Sequence, residues 1–156
     1  MQRPDPTAID LHDQPGHLIR RAHQISVSVF LGILGRDVTP IQYAALKCLE
    51  SRPGIDQVTL AQEVALDTST TASVAVRLEA KGWIVRERVA RGQRSLRLSD
   101  AGCELLNALD ARMPAMQQTL LEGFSTADRE HFLRLLQQFV DMNNEKSRAP
   151  LRSGAD

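Results

Sequence analysis

The sequence predicts a mainly α-helical protein with one small β-hairpin, on three observations. Apolar residues recur at helical spacing in several segments, each bounded by Ser, Thr or Asp caps and by Gly or Pro breakers. Only one place reads as paired strands: W83-I-V-R-E-R-V and S95-L-R-L, joined by the tight basic turn A90-R-G-Q-R94. The 156 residues, 42% of them apolar, suffice for one ordinary core with helical extensions.

Residues 1–13 and 147–156 are rich in Pro, Asp, Ser, Arg and Gly and are expected to be flexible ends. From Pro15 to about Leu34 the chain is apolar around much of a helical circumference, with Pro15 suited to the first turn. A small domain covers such a helix on one side only, so part of it is expected to meet a second subunit. Thr39 caps and Pro40 opens the next helix, which runs to Ser51 with Ile41, Ala44, Ala45, Leu46, Cys48 and Leu49 as its expected core face. After a turn and a short extended piece, Thr59 and Gln62 are placed as the capping box of a short helix to Leu66. Asp67 or Thr68 caps the helix that follows almost at once, and Gly82 ends it.

In that helix Ala72, Val74, Ala75 and Leu78 are expected inward, while Ser69, Thr70, Ser73 and Arg77 share the outward side. Two helices joined by a tight turn, the second with a small polar head, are the helix–turn–helix arrangement. Its first helix crosses the DNA backbone and its second enters the major groove. The hairpin after it is then a wing. Residues 67–98 hold seven Lys or Arg against three acids in a chain of zero net charge, so the remainder carries the balancing negative charge. With no global attraction to nucleic acid, this basic element is where a phosphate backbone would be met. The expected DNA contacts are Thr68, Ser69, Thr70, Ser73 and Arg77 on the helix and Arg91, Gln93 and Arg94 on the wing.

Ser99 opens a helix through Glu122 with an apolar stripe of Leu105, Leu106, Leu109, Met113, Met116 and Leu120, expected to kink at Pro114. Ser125 caps a last helix bearing Phe132, Leu135, Leu136, Phe139 and Val140. Residues 14–36 and 100–146 thus read as a helical dimerisation module made from both termini, around a winged helix–turn–helix domain at 37–99.

The stretch L66-D-T-S-T, R77-L-E-A-K-G-W-I-V and R97-L-S-D-A-G102, with T39-P-I-Q-Y-A-A-L before it, resembles the MarR family of bacterial transcription regulators over roughly residues 15–145. The resemblance implies a homodimeric repressor on a palindromic, inverted-repeat operator of double-stranded DNA, released by a small aromatic carboxylate. It departs from the family where the usual acidic residue of the wing falls at about Ala90, leaving Arg91 and Arg94 for the groove, and where Thr68 and Ser73 stand at positions often basic in relatives. P15-G-H-L-I-R-R-A-H-Q together with T39-P-I-Q-Y further resembles the branch that controls nicotinic acid degradation and answers to 6-hydroxynicotinic acid. For such an effector the resemblance directs attention to His17, Arg20, Arg21 and His23 on the first helix and Tyr43 on the second, with Arg20 as the carboxylate partner, since a guanidinium donates two parallel hydrogen bonds.

Other classes find little support. No nucleophile-elbow, phosphate-loop or zincin pattern is present, so no enzyme is expected. The four histidines do not fall at metal-ligand spacing, although His12, His17 and His23 leave a metal sensor open as an alternative; no cofactor is expected. An oxidant sensor is the other alternative, but Cys48 and Cys103 read as core or near-core thiols. Two cysteines, no signal peptide and no long apolar run point to a cytoplasmic protein without a membrane partner.

Overall fold

The computed structural model describes residues 10–89, 92 and 94–152. Helices α1 (Pro15–Leu34) and α2 (Pro40–Ser51) are followed by β1 (Ile55–Asp56), α3 (Gln57–Glu63), α4 (Thr68–Ala80), β2 (Ile84–Arg88), β3 (Arg94–Leu98), α5 (Asp100–Asp110), α6 (Met113–Leu120) and α7 (Thr126–Asn143). The strands form one antiparallel sheet in the order β1-β3-β2. The fold is mainly helical with a small β-wing. A 3-10 turn at Leu11–Asp13, capped by Asp10, precedes α1 inside the segment expected to be flexible.

Local chemistry sets the helix ends. Thr39 and Gln42 form a reciprocal capping box at α2. Asp67 caps α4 by accepting from the Thr70 N–H at 2.7 Å, and Gly82, at φ 74°, turns the chain out of that helix. Two boundaries differ from expectation. Asp56, not Thr59, caps α3, accepting from the Thr59 N–H at 2.7 Å, so the cap stands three residues earlier and the helix opens at Gln57. Pro114 breaks the chain rather than kinking it: α5 ends at Asp110, and the proline sits in the first turn of α6, where its missing N–H leaves no bond unmade.

The inward faces of α2 and α4 are each shifted from the expected ones. In α2 the buried set is Gln42, Ala45, Leu46 and Leu49, with Ile41 and Ala44 exposed; in α4 it is Thr71, Val74, Ala75 and Leu78, with Ala72 only half-buried. The reason is the same in both. Each stripe contains one polar residue whose side chain is satisfied by its own helix start: Gln42 Oε1 accepts from the Thr39 N–H, and Thr71 Oγ1 donates to Asp67 O at 2.9 Å. These faces join Phe30 and Leu34 of α1, Leu60 of α3, Ile84 and Leu96 of the sheet, Leu106 and Leu109 of α5 and Met116 of α6 in one core.

The wing is fastened to the next helix by a tight junction. Ser99 donates from its N–H to Trp83 O at 3.0 Å and from its hydroxyl to Gly82 O at 2.5 Å. Gly102 lies so close beneath that a Cβ there would fall 1.9 Å from Trp83 O.

Helix α7 contrasts with this packing. None of its 18 residues is buried, and Phe132, Leu135, Leu136, Phe139 and Val140 stand exposed on the single chain. Between its first half and α1 lies a groove of about 530 Å³, lined by Ile19, His23, Ile25, Leu120, Phe124 and Phe132 among others. The tail expected to be flexible from residue 147 is instead anchored as far as Arg152, because Asn144 and Glu145 supply hydrogen-bond partners for Leu151 and Arg152.

Candidate nucleic-acid interface

The outward face of α4 carries Thr68, Ser69, Ser73 and Arg77, all exposed, with Thr70 half-buried. Their hydroxyls are not equivalent. Thr70 Oγ1 donates to Asp67 Oδ2 at 2.8 Å and Ser73 Oγ to Ser69 O at 3.2 Å, so these two offer a base only an acceptor without losing a bond. Thr68 and Ser69 make no side-chain hydrogen bond among the described residues and remain donors. The two bonds from Thr70 to Asp67, backbone N–H first, hold that carboxyl below its ordinary range. Val76 stands on the same outward side, 51% exposed, and gives the face an apolar surface for a thymine methyl.

The pairing of charges concentrates the local positive excess. Arg86 Nε donates to Glu79 Oε2 at 2.7 Å, which braces the wing against α4, and Arg97 Nη2 donates to Glu87 Oε1 at 2.7 Å across the hairpin. Both acids outside the helix cap are thereby neutralised. Lys81 lies over the Trp83 ring at 4.4 Å and donates to Asp37 O. Arg77, Arg88 and Arg94 make no ion pair among the described residues. The register places Arg88 directly opposite Arg94, so two like charges share one face at the mouth of the wing. Such a pair costs about 0.2–1 kcal/mol in water, and a polyanion laid across the hairpin would remove that repulsion. The sequence alone points to Arg94 here but not to Arg88, because only the register reveals what faces it. Arg91 and Gln93 lie outside the described residues.

The expected effector residues fall in three places on a single chain. Arg20 Nη1 donates to Gln24 Oε1 at 2.8 Å, and its Nη2 lies 3.5 Å from His17 Nδ1, making one polar strip on the outside of α1. His23 lines the α1–α7 groove, whose other walls are almost wholly apolar. Tyr43 lies further along: its ring meets Phe30 edge-on at a centroid distance of 5.9 Å, and Phe30 stands about 20 Å along α1 from His17 and about 10 Å from His23. Its hydroxyl donates to Asp110 Oδ1 at 2.8 Å, and burial followed by the Asp110 bond and charge push it up to about 12. Burial also works to raise Asp110, but bonds from Lys47 and Tyr43 together with the Lys47 charge outweigh it and hold the carboxyl low. The Tyr43 hydroxyl is therefore engaged in tying α2 to α5. Arg21 is exposed and makes no ion pair among the described residues.

Cys48 is half-buried against the core, and burial, then Glu63, push its thiol up against the effect of Arg52. Cys103 is exposed, not near-core: it points away from the α5 face that buries Gly102 and Leu106. The His12 and His17 rings meet edge-on at 5.6 Å, but among the described residues no three His, Cys, Asp or Glu side chains gather as a metal site. No described helix is long and apolar enough to cross a membrane.

A short helix leading by a tight turn into a polar-faced helix, with a braced basic hairpin beside it, defines a winged helix–turn–helix protein. The MarR family profile matches residues 38–96. The PcaV transcriptional regulator of Streptomyces coelicolor, solved with its natural ligand, is 34% identical; the match spans 86% of this chain and 97% of that one, with a TM-score of 0.80. The transcriptional repressor NicR of Pseudomonas putida is 25% identical over 140 residues, 88% of this chain and 89% of NicR. Bordetella bronchiseptica BpsR, whose DNA binding is regulated by 6-hydroxynicotinic acid, shares the fold at a TM-score of 0.80 and 24% identity, over 86% of this chain and 98% of that one. The chain belongs to the MarR family of transcription regulators.

Proposed function

We propose that this chain is a homodimeric repressor that holds an inverted-repeat operator through α4 and the wing and releases it when an aromatic carboxylate binds against α1. The observation that carries the DNA part is the placing of Arg77, Arg88 and Arg94, which make no ion pair among the described residues, around a recognition helix whose Glu79 is matched by Arg86. Dimerisation is supported by the uncovered apolar face of α7, and two-fold symmetry sets the half-site centres about 10 bp apart. The likeness to NicR and to BpsR makes 6-hydroxynicotinic acid the first effector to try. Arg20, with His17 beside it, supplies a planar cationic fork for a carboxylate. Such a ligand acts only through unequal affinity for the DNA-bound and released conformations.

Two experiments test this. On the operator, Arg91→Ala and Arg94→Ala weaken binding across sequences, and each flattens the dependence of log affinity on log salt by roughly one unit for every phosphate the side chain neutralised. Unchanged slopes in both variants remove the wing from the interface. For the effector, Arg20→Ala and His17→Ala raise the 6-hydroxynicotinic acid concentration for half-release by roughly 10-fold or more, the scale of one charge-assisted hydrogen bond. Wild-type sensitivity in both variants places the pocket elsewhere. Indifference of the wild type to that compound ends the nicotinate assignment and leaves the DNA reading standing.

A further inference from the structure

The C-terminal segment returns to the helix–turn–helix. Leu151 N–H donates to Asn144 Oδ1 at 2.8 Å, Asn144 Nδ2 donates back to Leu151 O at 3.2 Å, and the Arg152 guanidinium clasps Glu145 through bonds of 2.6 and 2.9 Å. These bonds close the end of α7 into a loop. The loop is fastened to α3 by the Arg152 backbone N–H, which donates to Gln62 O at 2.9 Å. Arg148 then lines one shallow cavity with Val58 and Gln62 of α3 and with Asp67 and Thr68 at the head of α4.

We propose that this loop is a third DNA-binding element, in which Arg148 meets a phosphate of the strand that α3 crosses. The proposal rests on the DNA-binding reading above. In a helix–turn–helix the first helix lies over the backbone and the head of the second enters the groove, so whatever stands between them faces phosphates. The two basic residues of the loop have different duties. The charge of Arg152 is matched by Glu145, and it acts as a positioning residue. Arg148 is exposed and makes no hydrogen bond or ion pair among the described residues, and its field reaches Asp67, helping to hold that carboxyl in its charged form. Asp67 is the one acid at this end of α4, and its charge opposes an approaching phosphate. Arg148 offsets it where the backbone passes.

The test is salt-dependent operator binding by the full-length chain. Arg148→Ala lowers affinity severalfold and flattens the log–log salt slope by about one unit for each phosphate that Arg148 neutralises, Arg148→Lys restores the slope, and Arg148→Glu weakens binding further. Arg152→Ala keeps the backbone bond to Gln62 but removes the clasp on Glu145 that positions the loop, and shifts the slope in the same direction, while melting temperatures of the Arg148 variants stay at the wild-type value. A wild-type slope and affinity in Arg148→Ala, with the Arg94→Ala slope still flattened, overturn this proposal alone. A wild-type chain that binds no duplex overturns the DNA reading and this proposal together.

Discussion

Gly102→Ala lowers the melting temperature by roughly 6–12 °C, the largest loss expected from adding a methyl at any of the described glycines. The added Cβ lands 1.9 Å from Trp83 O and 2.9 Å from Trp83 C. Both are backbone atoms and cannot swing aside as the tip of a long side chain does. Nor is the Trp83 carbonyl free to move, since it accepts from the Ser99 N–H while the Trp83 N–H is held by Leu78 O at 3.0 Å. Relief therefore requires parting α5 from the wing, at about 3 kcal/mol, the upper end for overpacking; a domain of this size loses about 2–4 °C per kcal/mol. Operator affinity falls with it, because the same junction sets the attitude of the wing to α4. Gly16→Ala serves as the control, with nothing within 4 Å of the new Cβ, and stays within about 0.5 kcal/mol of wild type. A Gly102→Ala protein melting within a degree of wild type shows that the junction yields, and discards this account of the wing.

The second large effect concerns assembly. Phe132→Glu combined with Leu136→Glu turns the chain into a monomer and reduces operator affinity by at least about 100-fold. Both side chains are exposed on the single chain, line the groove between α1 and α7, and belong to the uncovered apolar face of α7 on which the proposed dimer rests. Two carboxylates there must be desolvated for the partner to dock, a cost the remaining apolar surface does not offset. A monomer then reaches only one half-site and loses the millimolar effective concentration that a joined pair enjoys at the second. Sedimentation equilibrium and operator titration read the two consequences separately. A double variant that still sediments as a dimer shows that the subunits meet through another face.

How legible each feature is depends on whether its cause lies within a few residues. Thr39, Asp67, Ser99 and Ser125 each accept a hydrogen bond from a backbone N–H three residues on, so these caps can be read along the chain. Asp56 competes with Thr59 for the same role, and local signals conflict: aspartate is the stronger cap, while Gln62 favours Thr59. Gln42 and Thr71 enter the core against their polarity because their bonding needs are met inside their own helices, which a hydropathy pattern scores as outward. In the candidate interface, the polar face of α4 follows from helical spacing alone. The like-charge pair of Arg88 and Arg94 depends on strand register, the Glu79–Arg86 brace on the angle between α4 and the wing, and the placing of Arg148 on a loop closed from outside the domain. The separation of Tyr43 from His17 and Arg20 likewise follows from where α2 crosses α1, near Phe30.

The bare surface of α7 makes the dose of the protein part of its structure. Most helical stability in a protein comes from packing of the apolar face, and on the single chain no residue of α7 is fully buried. Its order is borrowed from whatever covers it. If that cover is another copy, the melting temperature rises with protein concentration, and dilution alone loosens α7 and, through Arg152, its hold on α3. Newly made chains at low copy number are then the least ordered, and a cell would set the threshold for repression partly by how much of the protein it makes.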